Sequence, residues 1–117
     1  MSELEKFRLQ LRQFAEKRDW EQFHSPKNLS MALSVEVAEV VEHFQWITEE
    51  QSKNLPNDKL EEVATELADT LIYLTRLADK LEIDLLAAAH SKIEVNERKY
   101  PVGKAKGNAK KYTGLDK

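Results

Sequence analysis

The sequence predicts an all-α fold: four main helices in a bundle, assembling as an oligomer. Three observations predict it. Only three Gly and three Pro stand in 117 residues, so long stretches run without a helix breaker. Apolar residues recur at helical spacing in four separate segments, and nowhere does the alternation of a strand persist. Ser, Asp and Pro fall at the edges of those segments, where helices start and stop. A helical chain this short often completes its core with a second copy.

The first helix opens at Ser2 as N-cap with Glu5 at the capping-box position. Leu4, Phe7, Leu11 and Phe14 form its apolar face, and it ends near Lys17-Arg18, where basic side chains suit the helix dipole. Asp19 to His24 is a connection that holds Trp20, Phe23 and His24. The aromatics either cap the core or offer a flat platform for a nucleobase. Ser25-Pro26 starts the second helix, Ser as N-cap and Pro at the first helical position. Its apolar stripe is Leu29, Leu33, Val37, Val40 and Phe44, and it continues to about Trp46.

A polar connection follows, and Asn57 or Asp58 caps the third helix. Leu60, Val63, Leu67, Leu71, Leu74 and Ala78 line the buried face of that helix, which runs to about Leu81-Glu82. Ile72 falls away from the stripe, which suggests a second packing face of the kind an oligomer uses. Ile83-Asp84 is a tight joint with Asp84 as N-cap of the fourth helix; Leu85, Leu86, Ala89 and Ile93 give that helix its apolar side, and Pro101 ends it. The helical domain is thus 1–100. Residues 101–117, with Gly103, Gly107 and Gly114, form an irregular basic tail.

Composition narrows the function. The hydrophobic share is 41% and the charged share 33%, a globular balance. No cysteine is present, which excludes disulfides, zinc-thiolate sites and thiol catalysis. No apolar run reaches the length of a membrane span, and the first residues lack a signal-peptide pattern, so a cytoplasmic location is expected. The net charge is −3. The tail holds Lys104, Lys106, Lys110, Lys111 and Lys117 against Asp116 alone, so the body is acidic. An acidic body argues against nucleic acid as a partner. The tail is either a solvated terminus or a source of cations for phosphates.

Glu36-Val37-Ala38-Glu39 and Glu66-Leu67-Ala68-Asp69 carry the chemistry. Each sets two carboxylates three positions apart, on one face of a helix. Such a pair usually marks a solvated surface. Here Glu36 sits within the edge of its apolar stripe, with Glu39 and His43 beside it, and Glu66, Asp69 and Tyr73 flank the stripe of the next long helix. Carboxylates at the margin of a buried face need a partner, and four brought together repel unless a cation offsets them. Oxygen ligands suit Mg²⁺, with Mn²⁺ possible by the same chemistry. The pattern predicts a helical metal site that handles a phosphate substrate.

Around these pairs the chain carries R-D-W-E-Q-F-H at 18–24, Phe44-Gln45-Trp46, Tyr73 after E-L-A-D, N-E-R-K-Y-P at 96–101 and Lys111-Tyr112-Thr113. With these motifs it resembles the MazG-like all-α nucleoside triphosphate pyrophosphohydrolases, most of all their dCTP pyrophosphatase branch, from about Phe7 to Thr113. The resemblance implies cleavage of dCTP, or a related dNTP, between the α and β phosphates, giving the monophosphate and pyrophosphate, as a house-cleaning reaction of the nucleotide pool. It implies Mg²⁺ and a homotetramer built as a dimer of dimers. By motif position Glu36, Glu39, Glu66 and Asp69 are the metal ligands. Trp20, His24, Trp46 and Tyr73 line the base and sugar pocket, some of them across a subunit interface. Lys92, Asn96, Arg98 and Tyr100 reach the sugar or phosphates. Glu36 or Glu39 is the general base, and spacing does not choose between them. Two features depart from the eukaryotic dCTP enzymes: Leu11 stands where a histidine is expected, and the 47–59 connection is shorter. Both bear on base selectivity and leave the carboxylates untouched.

Two rivals come from other classes. A di-iron bundle needs E-x-x-H pairs inside two helices, and Glu21…His24 precedes the helix start at Ser25. A non-catalytic helical oligomer or nucleotide-binding protein would need no cation at the carboxylates.

Overall fold

A computed structural model describes residues 1–115, and the expected charges of Asp116 and Lys117 lie outside the described residues. Among the described residues there are six helices and no strand. They fall into two compact units, Met1–Ile83 and one that starts at Asp84.

In the first unit α1 spans Glu3–Lys17. Ser2 Oγ accepts from the Glu5 backbone N–H at 3.1 Å, the cap that the sequence predicts. The helix stops because Asp19 turns left-handed, at φ 55°. The Trp20 N–H then reaches back to Ala15 O at 2.9 Å and the Asp19 N–H to Glu16 O at 3.1 Å, a Schellman closure. A short 3-10 turn covers Glu21–Phe23. The second helix, α2, spans Pro26–Glu42, with Ser25 Oγ accepting from the Asn28 N–H at 3.1 Å.

The expected run of α2 to Trp46 is four residues too long. His43 N–H bonds Val40 O and Phe44 N–H bonds Val41 O. These three-residue closures tighten the last turn and end the helix. Thr48 and Gln51 then form a reciprocal capping box that starts a further short helix, α3, at Glu49–Ser52. The long α4 spans Asn57–Lys80. Neither Asn57 nor Asp58 caps it. Pro56 takes the N-cap place in extended conformation, and its carbonyl accepts the first helical bond, from Leu60 N–H at 2.9 Å. At the far end Glu82, at φ 55°, repeats the left-handed closure of α1, with Ile83 N–H on Ala78 O at 2.9 Å.

The α4 helix packs along α2 and, over a smaller area, α1. Leu29 and Ala15 are fully buried, and Val63 and Ala78 nearly so. The predicted stripes are only partly buried. Leu67 of α4 is 54% exposed, Leu71 45% and Val37 of α2 45%, and Leu60 and Leu74 are exposed too. Glu36, Glu39, Glu66, Asp69 and Tyr73 are half-buried instead. The polar margins of α2 and α4 are turned toward each other, and the adjacent leucine stripe is left on the outside of a single chain.

In the second unit α5 spans Leu85–Lys99, and Asp84 Oδ1 accepts from the Ala87 N–H at 3.0 Å. After Pro101 the chain does not stay irregular: α6 covers Val102–Ala105 and a 3-10 turn covers Tyr112–Gly114. Gly107 makes the left-handed step between them, at φ 81°, where a side chain would be strained. The Tyr112 ring stands edge-on to Tyr100 at 6.2 Å, and Lys99 Nζ lies 4.7 Å from its centroid, so the segment turns back onto the end of α5. Among the described residues no helix is long and apolar enough to cross a membrane.

Candidate active site

One carboxylate oxygen from each of Glu36, Glu39 and Glu66 lies within 4.8 Å of the others. The helical repeat makes this possible. Glu36 and Glu39 share a face of α2, and Glu66 projects from the facing side of α4. Burial, then the adjacent Glu39 carboxylate, then the charge of Asp69 and a hydrogen bond shared with Glu66, push the Glu36 carboxyl up to about 7. Glu66 is raised as well, first by sharing a hydrogen bond with Glu39 and then by burial. Asp69, one turn past Glu66, is not one of the three clustered residues and acts on both through its charge.

A divalent cation fits this group. Glu36 Oε2 and Glu66 Oε2 are buried and accept no hydrogen bond. A buried oxygen without a donor is costly. Three converging carboxylates, with no sulfur and no imidazole among them, offer the hard oxygen donors of Mg²⁺ or Mn²⁺.

The expected pocket residues are placed less evenly. The Trp20 and His24 rings lie 6.2 Å apart, and Trp20 packs edge-on against Phe14 at 5.6 Å. Tyr73 is half-buried on α4, one turn beyond Asp69. Trp46 follows the end of α2 and is 87% exposed. Lys92, Asn96 and Arg98 are exposed on α5, and Tyr100 is half-buried at its end, all in the second unit. A cavity of about 480 Å³ opens beside the 43–59 connection, lined in part by His43, Leu55 and Lys59. None of the clustered carboxylates lines it.

Sequence reasoning missed the charged network at the C-terminal half of α4. Asp79 Oδ1 accepts from Arg8 at 2.8 Å and Arg12 at 2.6 Å, and its Oδ2 from Arg12 Nε at 3.1 Å and Arg76 at 3.2 Å. Arg76 also donates to Glu21 Oε1 at 2.7 Å and, through Nε, to His24 Nδ1 at 3.3 Å. Lys80 bonds the other Glu21 oxygen. Burial raises the Asp79 carboxyl, but the bonds and charges of Arg12 and Arg8 outweigh it and hold it below the usual range. Glu21 is lowered chiefly by its bond from Lys80. His24 is lowered by burial and then by the Arg76 charge. The available signals were Arg8 and Arg12 one turn apart on α1, and Arg76, Asp79 and Lys80 on one stretch of α4. Neither names its distant partner.

Comparison with known proteins agrees with this arrangement of helices. The MazG-like family profile matches residues 31–115. The chain is 46% identical over 105 residues to dCTP pyrophosphatase 1 of Mus musculus and 45% identical to that of Homo sapiens. Each match covers 88% of this chain and 62% of the relative, so the chain spans less than two thirds of the length of these curated relatives. The crystal structure of a pyrophosphatase from Archaeoglobus fulgidus superposes with a TM-score of 0.80 at 41% identity, covering 86% of this chain and 94% of that one. A profile match over most of the residues, on an all-α chain whose two E-x-x-[ED] helices meet, leaves one assignment: this chain belongs to the MazG-like family.

Proposed function

We propose that this chain is a Mg²⁺-dependent nucleoside triphosphate pyrophosphohydrolase that cleaves dCTP, or a related dNTP, to the monophosphate and pyrophosphate. The observation that carries the reading is the meeting of Glu36, Glu39 and Glu66 with two buried, undonated oxygens. The names of its relatives, dCTP pyrophosphatase 1 and a pyrophosphatase, support the same reaction class.

Glu36, Glu39, Glu66 and Asp69 would hold the cation. When bound, it offsets charge on the phosphate oxygens and acidifies water. Glu36 or Glu39 takes a proton from the attacking water at a carboxylate oxygen. The water oxygen bonds the α-phosphorus as the bond to the bridging oxygen breaks, and pyrophosphate leaves. Trp20, His24, Trp46 and Tyr73 serve the base and sugar. Lys92, Asn96, Arg98 and Tyr100 serve the sugar and phosphates, where Lys92 and Arg98 would stabilise developing charge.

The four long helices are read as a bundle that a second copy completes, within a dimer of dimers in the cytoplasm. The exposed Leu60, Leu67, Leu71 and Leu74 stripe supports self-association. Sedimentation velocity on wild type and on the L67K/L71K variant tests it. A wild type that sediments as a monomer would end the oligomer reading.

The reaction is tested with purified protein, Mg²⁺ and each common dNTP and NTP, detecting pyrophosphate and orthophosphate separately. Pyrophosphate released fastest from dCTP is the expected result. Equal release from all bases would keep the reaction and discard the base preference. Release of orthophosphate alone, or of neither, would overturn the proposal.

A further inference from the structure

We infer that Arg76 is a positioning residue for nucleotide binding: it fixes His24 as a single tautomer whose free polar atom is the Nε2–H donor. The inference rests on the proposed function for its ligand, and on geometry for the rest.

Arg76 is 3% exposed, and each of its three guanidinium nitrogens is committed to a different residue. The Nε–H donates to His24 Nδ1 at 3.3 Å, one terminal nitrogen to Asp79 Oδ2 at 3.2 Å and the other to Glu21 Oε1 at 2.7 Å. Arginine is always protonated and has no acceptor. The direction of the His24 bond is therefore settled: Nδ1 contributes its lone pair, and the imidazole proton resides on Nε2. Burial and the nearby Arg76 charge favour the neutral ring. His24 is left with one polar function, a neutral donor.

The network has no need of ionic groups for stability alone. Well-packed apolar residues often replace a buried ion cluster at no loss. What charges supply is direction. A planar guanidinium held by Asp79, itself gripped by Arg8 and Arg12 from α1, orients the Glu21–His24 segment in two places at once.

That segment is thereby registered to the helix that carries the carboxylates. Glu66, Asp69, Tyr73, Arg76 and Lys80 follow one another at three- and four-residue steps along one face of α4. From Asp69 to Arg76 the helical rise is about 10 Å. The cation ligands thus stand at one end of the stripe, Tyr73 between, and the anchor of His24 and its neighbour Trp20 at the other. A nucleoside whose phosphates meet the carboxylates extends along that line. A fixed Nε2–H selects an acceptor on the substrate, such as a base carbonyl or a sugar or phosphate oxygen, and rejects a donor at the same place.

The test uses ¹⁵N-labelled, ligand-free protein at neutral pH, with long-range ¹H–¹⁵N correlation spectra of the three histidines. His24 is assigned by the signal lost in H24Q. The expected wild-type pattern is the Nε2–H tautomer alone, with Nδ1 shifted as a hydrogen-bond acceptor. R76K keeps a cation for Asp79 and Glu21 but cannot reproduce the third donor. It should return His24 to a tautomer mixture and raise the KM for the nucleotide about tenfold while kcat changes less than about threefold, with Mg²⁺ affinity unmoved. An Nδ1–H tautomer in wild type, or a free-imidazole mixture, overturns the inference. So does R76K with wild-type KM. If R76K fails to fold, the wild-type spectrum still decides, because it needs no variant at Arg76. A wild type that hydrolyses no nucleotide would remove the proposed function, and the tautomer would separately settle the Arg76–His24 relation.

Discussion

Arg12 on the first helix grips Asp79 on the fourth with two sides of its guanidinium, at 2.6 and 3.1 Å. Arg8 and Arg76 add two more donors, so one nearly buried carboxylate ties α1 to α4 and to the Glu21–His24 turn through Arg76. The bonds that Arg12 donates to Asp79 are also what raise its affinity for its own proton.

Removing Asp79's charge leaves three guanidinium groups facing one another. D79N should cost about 3–5 kcal/mol in urea unfolding at neutral pH. The folded pKa of Asp79 lies below its ordinary value. Its stabilising effect is therefore present above the unfolded pKa and lost as pH falls through the folded one. The gap between wild type and D79N should narrow on acidification. A gap independent of pH would show that Asp79 acts by shape rather than charge.

Glu36 has the opposite sign. Its carboxyl is raised from 4.5 to about 7, so in protein freed of divalent cations its contribution is intact below 4.5 and is lost as pH rises through about 7. E36Q removes that penalty and should melt no lower than wild type in chelator above neutral pH. Added Mg²⁺ with nucleotide should then raise the melting temperature of wild type by linkage and leave E36Q nearly unmoved, with activity lower by about a hundredfold or more. Equal shifts in the two proteins would remove Glu36 from the cation site.

Trp20 is anchored on Phe14 and lies beside His24. W20A should weaken stacking on a base by about 1–3 kcal/mol. Steady-state kinetics would register this as a higher KM or a flatter base preference, with Mg²⁺ affinity retained. Unchanged kinetic constants for every base would end the platform role.

Glu82 occupies the left-handed closing position of α4, at φ 55°, where a side chain is disfavoured by about 1–2 kcal/mol. E82G keeps the Ile83-to-Ala78 and Glu82-to-Asp79 backbone bonds and should stabilise the protein by about 0.5–1 kcal/mol in denaturant unfolding, part of the gain being offset by a more flexible unfolded chain. A loss of stability would mean that the Glu82 side chain contributes something beyond the turn.

The sequence by itself determined the four long helices and the presence of the paired carboxylates on two of them. Ser2, Ser25 and Asp84 cap by local bonds to N–H groups three residues on, and E-x-x-E places two carboxylates on one face by the helical repeat alone. These depend on neighbours along the chain, which a sequence displays. Where α2 stops was less legible, because three-residue closures at His43 and Phe44 and the Thr48–Gln51 box compete with a periodicity that continues to Phe44. Tertiary structure decided which side of each helix faces inward. Apolar stripe and acidic margin are adjacent on α4, and either could meet α2. In the folded chain the margin does so, gathering Glu36, Glu39 and Glu66 and leaving Leu67 and Leu71 outside. It also decided the pairing of Asp79 with Arg8 and Arg12 and of Arg76 with Glu21 and His24. Those bonds join residues more than fifty positions apart, and direction and distance in space exist only once α1, the 21–24 turn and α4 have packed.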